Sequence, residues 1–207
     1  GILRFEDEEL YGLALEAHRA GFRIGTHAIG DRALNQVLNV YERLYRDSPG
    51  PRHRIEHFGL AGPEHLAKAR DLGIIAVPQP VFLNELRANY ERYVPDQWFC
   101  RCFNLKAMFD AGLTVAFSSD GPVVRQVDPL VGLRAALKEP LCAGNEVSLE
   151  QALWAYTTGA AIAQGDEGNR GRLEAGYWTD FVMLEGSLHE PESLSVSRTT
   201  VGGTPDL

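Results

Sequence analysis

One unit recurs between Asp7 and Asp120 and leaves few folds open: a helix-period stretch, a glycine-containing turn, then a short apolar run. Asp7 to Ala20 carries Leu10, Leu13, Leu15 and Ala17 as apolar surface, and Gly21-Phe22 leads into the strand-like RIGTHAI. Arg32 to Tyr45 repeats the helical spacing with Leu34, Val37, Leu38, Tyr41, Leu44 and Tyr45, before RHRIEHF. Pro63 to Leu72 opens on Gly-Pro, stops at Gly73 and precedes IIAVPQP. An irregular stretch, Val81 to Cys102, and a helix from Leu105 to Ala111 precede TVAFSSD. Short, nearly continuous apolar strands alternating with helices predict parallel βα units in a sheet covered on both faces. An open doubly wound domain and part of a closed (β/α)8 barrel both satisfy this pattern. A whole barrel takes about 250 residues.

Beyond Asp120, helices are predicted from Pro129 to Lys138 and from Ser148 to Ile162. Ser148 is the N-cap of the second, with Glu150 and Gln151 in its first turn. The C-terminal stretch changes character. It is rich in Gly, Thr, Ser and Val, with strand-like runs at YWTDFVML and SVSRTTVGG, and reads as a small β unit. The polar connector Gln164 to Arg170 is the natural boundary.

Composition narrows the function. The chain has 207 residues, 44% hydrophobic and 23% charged, with a formal net charge of -8. An acidic chain without a Lys/Arg cluster is unsuited to nucleic acid. No apolar run reaches the roughly 18 residues of a membrane span. Cys100, Cys102 and Cys142 are odd in number and lack CxxC spacing, which predicts free thiols and a reducing compartment. With no signal peptide at Gly1, the expected location is the cytoplasm.

The chemistry gathers at strand ends. The first strand ends at His27, the second at His57 and the fourth at Asp120. In a parallel βα architecture these ends share one rim, where active sites sit. Two imidazoles and a carboxylate suit Zn2+ or a similar ion, and the carboxylate can also take a proton from water. Singly, each has a plainer role: a hydrogen-bonded strand-end histidine, or a turn aspartate before Gly-Pro. Equivalent placement in successive units favours the shared site. Asp31 is expected to cap the following helix. His18, His53, His65 and His189 lack the strand-end placement and read as surface or structural.

The motifs THAIGDRA (26–33), RIEHFGL (54–60) and FSSDGPV (117–123), in that order, resemble the metal-dependent amidohydrolase superfamily. The resemblance is to its amidohydrolase-3 branch of YtcJ-like proteins, which includes the N-substituted formamide deformylases. The tail YTTGAAIAQGDEGNRGRLEAGYWTDFVMLEG agrees. The resemblance implies an α/β fold: the C-terminal half of a (β/α)8 TIM barrel, strands five to eight, over residues 1–165, with part of a small β-sandwich over 166–207. It implies that His27 and His57 bind metal, most readily one or two zinc ions. Asp120 would ligate metal or act as general base and acid. In mononuclear members the equivalent of His57 orients water or substrate instead. Gln79 and Arg101, in or beside a variable loop, are candidate substrate contacts. The family's His-x-His and its bridging carboxylated Lys or Glu would lie upstream of Gly1.

The expected activity is metal-dependent hydrolysis of non-peptide C–N bonds in an amide, formamide or cyclic amide. A deaminase and a non-catalytic scaffold are the alternatives. The expected partner is a small-molecule substrate, with neither nucleic acid nor membrane, and a homo-oligomer is allowed.

Overall fold

The computed structural model describes residues 2–205. Its first sheet has four strands in the order β1 (Gly25–Ala28), β2 (Arg54–His57), β3 (Ile75–Val77) and β4 (Thr114–Val115). All three pairings are parallel, with Thr26 beside Ile55, Ile55 beside Ala76 and Ala76 beside Val115. The helices expected from periodicity are present: α1 (Asp7–Arg19), α2 (Asp31–Asp47) and α3 (Pro63–Asp71). Each connects to a strand through a tight turn, so the strand ends fall on one rim.

The core lies between helices and sheet. Leu34, Val37, Leu38, Tyr41 and Leu44 of α2 are buried with Ala28 and Ile55 of the strands. The opposite face is more open: Gly25 and His27 are exposed, Arg54 and Glu56 half-buried. There Arg54 Nε lies 2.7 Å from Glu56 Oε1. A small second cluster of Ile75, Val77, Ala116 and Ala163 closes part of that face.

Several sequence expectations change. The stretch from Val81 to Cys102 is not irregular. It forms α4 (Phe82–Glu85), α5 (Arg87–Tyr93) and α6 (Asp96–Phe99), each too short to show a period. Asp31 is the first helical residue of α2, not its cap. Gly30 occupies the cap, and the Asp31 carboxylate instead stands in the first turn, where the helix dipole favours it. Cys100 and Cys142 form a disulfide, leaving only Cys102 free and buried. Residue count does not reveal which sulfurs meet in space, and here the bond ties the end of α6 to the loop after the helix Pro129–Lys138.

The remaining helices are α7 (Leu105–Asp110), α8 (Pro129–Lys138), α9 (Leu149–Tyr156) and α10 (Thr158–Gln164). The expected capping box is present: Ser148 Oγ accepts from Gln151 N–H, and Gln151 Oε1 from Ser148 N–H. The single helix expected from Ser148 to Ile162 is broken at Thr157, where ψ is -88°. The break lets α10 lie against β4 so closely that a Cβ at Gly159 would sit 2.2 Å from the Val115 carbonyl oxygen.

The C-terminal residues form a separate antiparallel sheet of β5 (Phe181–Ser187), β6 (Glu190–Val201) and β7 (Thr204–Pro205). Arg134 of α8 donates to the carbonyls of Pro191 and Leu194, and Leu194 is buried in the main core. Among the described residues, no helix is long and apolar enough to cross a membrane.

Candidate functional site

His27 and His57 meet at the rim. Their ring centroids are 4.4 Å apart and their planes are inclined at 73°. A straight ladder would separate them, because residues in register share a sheet face and His27 is in register with Glu56. The alternation breaks at His57, whose φ of 72° is left-handed, as is the φ of 52° at Phe58. Asp120, half-buried after β4, is also left-handed, with φ 58°. Non-glycine residues held in this region mark places where surrounding structure overrides local preference, and such places cluster at functional sites.

His57 is 5% exposed, with its ring stacked on Phe82. Burial holds its pKa below the usual imidazole value, and the neighbouring His27 acts in the same direction. The hydrogen bond to Gln79 and the charge of Asp120 oppose that shift. The ring is therefore neutral at neutral pH, the form that binds a metal ion. Asp120 is near enough for its charge also to help raise the pKa of Glu56, mainly an effect of burial.

Gln79 is not at the loop surface. It is 2% exposed and sits behind His57, with Oε1 2.7 Å from His57 Nδ1. Its amide nitrogen donates to the Val77 carbonyl and to Ser118 Oγ, each at 2.8 Å. Arg101 lies apart, exposed at a cavity of about 40 Å³ that Asp31, Glu64, His65 and Trp98 also line. A larger cavity, about 290 Å³, opens beside Ser118 and Ser119, walled by Val81, Phe117, Val127 and Tyr156.

The other histidines stay away from this rim pair. His18 and His53 are buried and hydrogen-bonded to each other, His65 is buried in α3, and His189 is exposed. Sequence reading missed Glu56. Its register with His27 was the available signal, hidden by its position beside the more conspicuous His57.

As donors, the paired imidazoles suit a divalent ion of the zinc type. Among the described residues, no three His, Cys, Asp or Glu side chains converge tightly enough to enclose one. The pair is thus an open set of two donors with a carboxylate nearby.

Comparison with known proteins gives a consistent picture. Residues 1–205 match the profile described as the amidohydrolase family. YtcJ of Bacillus subtilis (strain 168) is 30% identical over 98% of this chain and 41% of its own length. The N-substituted formamide deformylase of Arthrobacter pascens is 28% identical over 96% of this chain and 39% of its own length. The chain thus spans about two fifths of each of these relatives. Among solved structures, an uncharacterized metal-dependent hydrolase from Pyrococcus furiosus superposes with a TM-score of 0.75 at 28% identity. That match covers 86% of this chain and 36% of the other.

Proposed function

Because the chain belongs to the amidohydrolase family, we propose that it carries the metal-binding rim of a hydrolase acting on carbon–nitrogen bonds other than peptide bonds. The substrate class is a small amide, formamide or cyclic amide. The observation that carries this reading is the juxtaposition of His27 and His57, with His57 turned by a left-handed backbone into contact with its neighbour.

In this reading residues 1–165 are strands five to eight of a (β/α)8 barrel with their helices, and residues 166–207 belong to a small β-sandwich. The open, polar inner face around His27, Arg54 and Glu56 supports it, since a barrel interior would enclose that face. A homo-oligomer remains part of the proposal; the Cys100–Cys142 bond removes the free-thiol argument for a reducing compartment.

His27 and His57, with Asp120, would hold one or two divalent ions, zinc by preference. Such an ion supplies Lewis acidity, which brings the ionisation of water towards neutral pH. His57 presents its unprotonated nitrogen. Asp120 takes the proton of the attacking water on its carboxylate and delivers it to the leaving nitrogen. Arg101 would bind the substrate's polar end.

A non-catalytic scaffold is favoured by one observation, the open geometry of the donor set. Elemental analysis separates the two. About one or two transition-metal ions per chain, with chelator-sensitive hydrolysis of an N-substituted formamide, support the hydrolase. A metal-free protein that stays folded and inert supports the scaffold.

A further inference from the structure

The geometry points to Gln79 as a positioning residue that fixes His57 in one tautomer, with Nδ1 protonated and the Nε2 lone pair free. The inference rests on the metal-binding reading given above for its purpose, but not for its geometry. The Val77 carbonyl oxygen can only accept a hydrogen bond, so the Gln79 atom 2.8 Å from it must be the amide nitrogen. Gln79 Oε1, which can only accept, therefore faces His57 Nδ1 at 2.7 Å. Nδ1 must carry the proton, and in a neutral ring Nε2 then does not.

Burial reinforces the assignment. Gln79 is 2% exposed, so its amide is shielded from bulk solvent. Three strand ends supply the parts: His57 ends β2, Val77 ends β3 with Gln79 just beyond, and Ser118 follows β4. Ser118 N–H donates to the Pro78 carbonyl at 3.2 Å, which holds the last of these in place. Among the described residues His57 Nε2 has no hydrogen-bond partner. Orientation of a ligating imidazole through its other nitrogen is a general device, and removing the partner weakens metal affinity about 10- to 100-fold. Gln79 thus acts through His57.

The test is 15N NMR of histidine-labelled protein without metal, followed by titration with Zn2+ alone. The wild type is expected to show protonated Nδ1 and bare Nε2 at His57. Gln79→Leu should move the proton to Nε2 and weaken Zn2+ binding by about 10- to 100-fold. Ser118→Ala also removes a Gln79 hydrogen bond but leaves Val77 to orient the amide, so it should keep the wild-type tautomer. A purely structural role for Gln79 predicts no such difference between the variants. Protonated Nε2 in the wild type, or an unchanged tautomer in Gln79→Leu, overturns the inference. Should Gln79→Leu fail to fold, the wild-type and Ser118→Ala spectra still decide. Failure of the wild type to bind Zn2+, with the tautomers as expected, counts against the hydrolase reading alone.

Discussion

The imidazoles of His27 and His57 stand edge to face, 4.4 Å between centroids, although their positions in the ladder would direct them to opposite faces of the sheet. Left-handed backbone at His57 and Phe58 brings them together. If they act as one site, their effects on ion binding are not independent. His27→Ala and His57→Ala should each lower Zn2+ affinity, and the double variant should lose less than the sum of the two. Isothermal titration of the three variants checks this; strict additivity would mean the rings do not share an ion.

The acid role proposed for Asp120 falls on a residue with an unusual backbone. Asparagine tolerates its left-handed φ of 58° nearly as well as aspartate but cannot take a proton. Asp120→Asn should therefore keep the circular dichroism spectrum and the melting temperature while lowering turnover by about 10²- to 10⁴-fold. Wild-type turnover in this variant would remove Asp120 from the mechanism.

Acid should destabilise the protein through His53. Ile24 N–H donates to His53 Nδ1, which leaves His53 Nε2–H to donate to His18 Nδ1 and His18 Nε2–H to the Ser48 carbonyl. His53 is neutral in this chain of bonds. Burial, with His18 and Arg23 acting in the same direction, brings the His53 pKa down from 6.5 to about 4. The unfolded chain binds the proton first, so stability is complete above pH 6.5 and falls as the pH drops towards 4. The loss is on the order of 3 kcal/mol at the acid end of that window. Urea midpoints at pH 7.5 and pH 5 measure it; equal midpoints would contradict the buried neutral His53.

Thiol counting tests the disulfide. Burial pushes the Cys102 thiol up to about 12, so the native protein should react with almost no thiol reagent. Unfolding without reductant should expose the one free thiol, and reduction should release the Cys100 and Cys142 thiols as well. All three reacting before reduction would mean the Cys100–Cys142 bond is absent.

The legible parts of this molecule are those written as local periods. Leu34, Val37, Leu38, Tyr41 and Leu44 mark the buried face of α2, and IIAV and TVAF mark strands without a polar face. His27 and His57 were legible because they fall at the ends of β1 and β2, and Asp120 because it lies just beyond β4. What stayed hidden depends on contacts between distant residues. The break at Thr157 is set by the approach of Gly159 to β4, the Cys100–Cys142 bond by the placement of α6 against the loop after α8. Gln79 looked like a loop residue over the site because nothing in IIAVPQP says that its amide would turn inward to His57.

Diffraction at the zinc absorption edge from zinc-soaked crystals tests the central claim most directly. The account predicts an anomalous peak between the imidazoles of His27 and His57, on the side that Asp120 faces. A peak at His18, His65 or His189, with the rim pair bare, would contradict it.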